Sequence, residues 1–158
     1  MRGINISDIL TAKPDQLKDG RLEYRRLKTK KRYSIKVEPE AMAIIEKYRG
    51  KEWLLSTMDH YRTPKDYLQH MNKALKSLGK VYVTNQTPRG KAVCPRLSTY
   101  WARHTWATPA YEIGIPVDVI GQALGHSDGQ HRITYLYIRM HEQKVDEANR
   151  KVLDYLKG

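Results

Sequence analysis

Four stretches of this chain open on a residue that starts helices and close on glycine, and that punctuation limits the fold more than any other feature. Pro39 leads into Ala41, Ile44, Ile45 and Tyr48 and stops at Gly50. Thr63-Pro64 leads into Tyr67, Leu68, Met71, Leu75 and Leu78 and stops at Gly79. Ser98 is placed to cap a helix from Thr99 to about Ile113, ended by Gly114, and Pro116 opens a shorter helix through Val119, Ile120, Ala123 and Leu124, ended by Gly125. Ile4, Ile6, Ile9 and Leu10 add a short helical stripe at the front, and a last helix is expected from about Lys144 to Leu156 with Val145, Ala148, Val152 and Tyr155/Leu156 on one face. A period of two appears after the turn Asp19-Gly20, as Leu22/Tyr24 and then Tyr33/Ile35/Val37. These two runs read as a hairpin with the basic tip Lys28-Thr29-Lys30-Lys31. Val81-Tyr82-Val83 resembles a strand, Asn85 to Lys91 a polar loop, and Ile133 to Ile138 an apolar-aromatic run. The expected class is mostly α with a small antiparallel β-sheet (α+β), as one domain over residues 1–158.

Charge then narrows the partner. The 29 Lys+Arg against 17 Asp+Glu leave +12, while 40% hydrophobic residues suffice for a packed core. A basic globular domain of this kind is expected to bind a polyanion. No apolar stretch approaches the roughly 20 residues of a membrane-spanning helix, and the opening MRGINISDIL has no signal-peptide core. Cys94 is the only cysteine, which excludes an internal disulfide framework and suits the cytoplasm. The six histidines show no HExxH spacing, and neither a phosphate-binding GxxxxGK[ST] loop nor a GxSxG elbow occurs. No metal and no cofactor is therefore expected, and chemistry on an anion must come from side chains.

The C-terminal half supplies candidates. Tyr100, Arg103, His104 and Ala107 fall on one helical stripe, opposite Leu97, Trp101 and Thr108, which read as packing positions. A phenol, a guanidinium fork and an imidazole on one face suit a phosphate. Gly125 ends the next helix, with His126 directly after it. Pro109 inside the first of these helices removes a backbone donor and predicts a kink or shortening between Thr105 and Ala110.

Leu97 to Thr108, Leu124-Gly125-His126-Ser127 and Thr134-Tyr135-Leu136-Tyr137-Ile138 together resemble the catalytic domain of the tyrosine recombinase (phage integrase) family. Within it the chain is most similar to integrases of conjugative transposons and other mobile elements of Bacteroides-type bacteria. Arg2 to Asn5 and Arg21 to Lys36 resemble that family's opening helix and hairpin. The resemblance implies Arg2 and Arg103 as phosphate-clamping arginines and Lys28 as the acid that protonates the leaving 5′ oxygen. Lys30 could stand in for Lys28. It further implies His126 as a hydrogen-bond donor to the scissile phosphate and Tyr137 as the nucleophile of a 3′-phosphotyrosyl bond. Tyr100 stands where the family often has histidine and can still contact phosphate. Tyr135, nine residues after His126, competes with Tyr137, eleven after it, but Thr134-x-x-Tyr137-Ile138 matches the family motif. Arg25, Arg26, Lys30, Lys31, Arg32 and His104 are expected to grip the DNA backbone.

The implied function is site-specific cleavage and rejoining of double-stranded DNA, for integration or excision of a mobile element, by subunits gathered in a synaptic assembly. Exchanging one phosphoester for another needs no ATP. The family normally adds an N-terminal helical domain that clamps the other face of DNA, and nothing in these residues corresponds to it, so weak binding and poor cleavage are expected of residues 1–158 alone. DNA relaxation like that of type IB topoisomerases, and a non-catalytic DNA-binding module of the same fold, are the alternatives.

Overall fold

The computed structural model describes residues 2–78, 94–125 and 142–158. Within these, α1 (Ile6–Leu10) is capped by Asn5, whose side chain accepts the Ser7 N–H, and a single 3-10 turn (Pro14–Gln16) leads into the sheet. Strands β1 (Leu17–Lys18), β2 (Arg21–Arg25) and β3 (Arg32–Lys36) pair antiparallel in that order. The Asp19-Gly20 turn works because both residues adopt positive φ, 49° and 71°, the two-residue geometry whose twist matches flanking strands. It creates β1, which is too short for any periodicity to announce. The expected alternation holds across β2 and β3: Leu22 faces Ile35, and Tyr24 faces Tyr33 with the rings stacked at 5.7 Å.

Helices α2 (Pro39–Lys47) and α3 (Thr57–His60) follow, then α4 (Pro64–Lys76), where the Thr63 side chain accepts the Asp66 N–H. The buried face of α2 is not quite the expected one. Ile45 packs inward with half-buried Ala41 and Met42, whereas Ile44 and Tyr48 are 58% and 51% exposed. Ala12, Leu22, Val37, Ile45 and Leu54 form the core beneath the sheet. Among the described residues no helix is long and apolar enough to cross a membrane.

A second core is helical. Trp106 and Ala110 of α5 (Trp101–Glu112), Val119, Ile120, Ala123 and Leu124 of α6 (Val117–Leu124), and Val145, Ala148 and Val152 of α7 (Glu142–Tyr155) bury one another. The last helix therefore closes the chain's own core through Val145, Ala148 and Val152, leaving Tyr155 and Leu156 half exposed. α5 starts later than expected, at Trp101, and Ser98 does not supply a side-chain cap. Pro109 does not end it. The helix runs through to Glu112, and the Pro109 carbonyl still accepts the Ile113 N–H at 3.0 Å. The packing expected of Leu97, Trp101 and Thr108 falls to Trp106, Pro109 and Ala110, because that face meets α7; Trp101 is 49% exposed.

An ionic lattice fastens α7 to the start of α2. Arg150 bridges Glu38, Glu40 and Asp154, and Lys157 pairs with Glu40. Hydrogen bonds from Arg150 and then Lys157 hold the Glu40 carboxyl at about 2, below its ordinary 4.5. A depressed folded-state value contributes stability above the unfolded value that is lost as pH falls through the folded one. Glu40→Gln is accordingly less stable than wild type at neutral pH, and denaturant titrations show that gap closing as pH falls from 4.5 to about 2. A gap that stays constant over that window rules out this linkage.

Candidate active site

The start of α5 brings the central residues together at different depths. Arg103 is buried, while Tyr100 before it and His104 after it are exposed, their rings meeting edge to face at 5.3 Å. Two main-chain carbonyls orient the Arg103 guanidinium: Nη1 donates to Gly3 at 2.7 Å and Nη2 to Leu124 at 2.6 Å. Leu124 is the last residue of α6, so a cation sits against the negative end of that helix. Burial pushes Arg103 below the ordinary arginine value, and the adjacent, hydrogen-bonded Tyr100 phenol opposes that shift. Arg103 and Tyr100 stand at a mostly apolar cleft of about 550 Å³, lined by Ile4, Ile6, Ile9, Leu68 and Leu156 together with the polar Asn5, Asn72 and Thr99. Thr99 donates its N–H to the Asn72 side chain at 2.8 Å, tying the turn before α5 to α4.

Arg2, the other arginine implied as a phosphate clamp, is buried like Arg103. It is 5% exposed, its Nη2 donates to the Ser34 carbonyl at 2.7 Å, and the same nitrogen lies 3.6 Å from the Asp146 carboxylate. The reason is local. A β-strand carbonyl and a helix carboxylate offer the guanidinium acceptors inside the fold, and Arg21 shares Asp146 at 2.8 Å. Burial lowers the Arg2 value, with Asp146 acting against that. Its backbone is unusual too: φ is 34° at Arg2 and 56° at Gly3, a region that costs a residue with a side chain roughly 1–2 kcal/mol. Gly3 is needed there, since a Cβ would stand 2.9 Å from Leu124 Cδ2 and 3.4 Å from Arg103 Cγ.

The hairpin divides its basic residues. Arg25, Lys28, Lys30, Lys31 and Arg32 are exposed, and the loop is closed by Lys30 N–H to the Arg26 carbonyl at 2.8 Å and Arg26 N–H to the Lys31 carbonyl at 2.9 Å. Lys30 takes positive φ, 57°, and Lys31 Nζ stands 5.8 Å from the Tyr33 ring centre. Arg26, expected to grip the DNA backbone, turns inward here. Its Nη1 donates to the Gly125 carbonyl at 2.5 Å, and its Nε lies 3.8 Å from Asp8. Asp8 also accepts the Leu27 N–H at 2.9 Å, which anchors the chain one residue before Lys28. The expected His126, Tyr135 and Tyr137 lie outside the described residues, as do the Val81–Val93 and Ile133–Ile138 runs.

Asp8, Tyr24, Asp146 and Asn149 surround the candidate arginines, and sequence patterns alone do not single them out. Burial, reinforced by the Asp8 carboxylate and the Tyr33 phenol, pushes Tyr24 above its ordinary value, so it stays a hydrogen-bond donor. Asn149 Oδ1 accepts both the Arg2 N–H at 3.1 Å and the Trp106 indole N–H at 3.0 Å. Asp8 and Asn149 are polar residues buried in the packed structure, and their burial, which the sequence does not show, is what marks them.

No curated protein and no solved structure matches the chain. A comparison with family profiles matches the phage integrase family over residues 2–143, a span that contains the sheet, the hairpin, Arg103 and the Leu-Gly-His box. With that span covering most of its length, the chain belongs to the phage integrase family of tyrosine recombinases.

Proposed function

We propose that this chain is the catalytic domain of a site-specific recombinase that cleaves and rejoins double-stranded DNA through a 3′-phosphotyrosyl intermediate. Its biological task is integration or excision of a mobile element of the Bacteroides type, by several subunits assembled on DNA. The observation that carries the reading is Arg103, a guanidinium held by two carbonyls beside a phenol at the edge of a cleft, in a chain of this family.

In the proposed reaction Tyr137 Oη forms a bond to the scissile phosphorus as the phosphorus–O5′ bond breaks. The phenol proton passes to solvent water, and Lys28 gives its own proton to the departing 5′ oxygen. Arg103, Tyr100 and His126 offset the negative charge that builds on the non-bridging oxygens, and such fixed donors supply most of the rate enhancement in reactions of this kind. Lys28 suits its part because it sits at an exposed tip whose base Asp8 anchors, so it can move while its neighbours stay placed. Arg25, Lys30, Lys31, Arg32 and His104 contact the DNA backbone. Arg2 is the second clamping arginine, and Arg26 braces the hairpin against Gly125 through the contact already described.

The test is a pool of duplexes of random sequence, each nicked so that the short 5′-hydroxyl strand diffuses away after cleavage and traps the enzyme. Adducts that survive detergent and disappear with protease are expected, joined through a 3′-phosphate. Because the trap is irreversible, even slow cleavage accumulates as adduct over a long incubation, and DNA binding with no adduct in the whole pool after it overturns the enzyme reading in favour of a binding module.

A further inference from the structure

Asn149 lies on α7, outside the cleft, yet it sits at the start of a short chain of contacts that ends on Arg103. Its Oδ1 accepts the main-chain N–H of Arg2 at 3.1 Å. The carbonyl of the following residue, Gly3, accepts from Arg103 Nη1 at 2.7 Å. Between them lies the segment with two successive positive φ values, 34° and 56°, a strained geometry for an arginine that its surroundings must hold. Asn149 is 1% exposed, so water does not compete for these bonds. Asp146, one turn earlier on the same helix face, fixes the Arg2 side chain as Asn149 fixes its main chain.

We infer that Asn149 is a positioning residue for Arg103: it clamps the Arg2–Gly3 backbone so that the Gly3 carbonyl aims the guanidinium into the cleft. α7 thereby sets the geometry of the phosphate site without touching DNA. The inference rests on the proposed function only for what Arg103 does; the contact chain stands without it. The Arg2 main chain, on this view, is a strut between α7 and the site.

Two measurements on residues 1–158 test it. In ¹⁵N-labelled protein, the side-chain signals of Arg103, assigned by their loss in Arg103→Lys, shift or broaden in Asn149→Leu and return near their wild-type positions in Asn149→Asp, which keeps the acceptor. Unchanged Arg103 signals in a folded Asn149→Leu protein overturn the inference, whatever the enzyme does. In the adduct assay, Asn149→Leu slows adduct formation about 100-fold, the scale of an ångström-sized misplacement, with DNA affinity within about threefold of wild type. Added to Arg103→Lys it slows the reaction little further, because both changes act through one group. An equal loss in both backgrounds shows a merely structural role. Should Asn149→Leu fail to fold, Trp106→Phe and Asn149→Asp decide: Trp106→Phe, which leaves the Arg2 bond in place, keeps the Arg103 signals, and their loss in either variant counts against the proposal. A wild-type protein that forms no adduct overturns the proposed reaction, and the Arg103 signals still decide the role of Asn149.

Discussion

Tyr137→Phe abolishes covalent attachment to DNA, and Tyr135→Phe leaves it intact. Phenylalanine keeps the ring and its packing and removes only the oxygen that would bond to phosphorus, so a loss reports chemistry rather than folding. Removing the nucleophile of a covalent enzyme costs about 10⁶-fold in rate, which places the Tyr137→Phe adduct below detection in an incubation long enough for the wild-type adduct to accumulate. With eleven tyrosines in the chain, the comparison must exclude stand-ins. Tyr24, the phenol close to Arg2, Arg26 and Arg103, is a poor one, since burial and the Asp8 carboxylate keep it protonated. The measurement is detergent-resistant adduct on a nicked duplex, scored for each variant at equal occupancy of DNA. An adduct that persists in Tyr137→Phe and vanishes in Tyr135→Phe moves the nucleophile two residues upstream. Persistence in both removes this segment from the reaction.

How much of the fold and the site is legible in the residues depends on the kind of interaction. α6 is legible to the residue, because proline starts it, Val119, Ile120, Ala123 and Leu124 recur at helical spacing, and Gly125 at φ 71° stops it. The pairing of Leu22 with Ile35 and Tyr24 with Tyr33 follows from strict alternation. The directions of Arg2 and Arg26 do not. An arginine's sequence neighbours say nothing of whether a carboxylate from a distant helix waits inside the fold, and Asp146 lies 144 positions from Arg2. Motif similarity places Arg103, but the two carbonyls that aim it belong to Gly3 and Leu124, which are remote from it and from each other in the chain. Asn149 is hidden for a related reason. At a position three residues before Val152 it reads as an ordinary helix residue, and only the packed structure shows two N–H groups converging on one oxygen.

Arg103→Ala is the second large effect, and it acts twice. Losing a preorganised donor to the developing oxyanion costs about 10²–10³-fold in rate, and this guanidinium is expected at that scale because it is already oriented before DNA arrives. Its removal also takes the Arg103 donor from the Gly3 carbonyl and leaves the Leu124 carbonyl only the longer 3.4 Å bond from Arg26 Nη1, and the loss of hydrogen bonds to a charged group costs roughly 1.5–3 kcal/mol of folding stability. Arg103→Lys separates the two consequences. An ammonium keeps the charge but cannot span both carbonyls and a phosphate as a planar fork does. The lysine variant therefore recovers a detectable rate while remaining less stable than wild type. The check is adduct rate at a temperature where circular dichroism shows every variant folded, alongside thermal unfolding of each. If Arg103→Ala slows adduct formation less than tenfold while destabilising the fold, the residue is a structural tie between the start of the chain and α6, and the phosphate clamp must be sought elsewhere in the cleft.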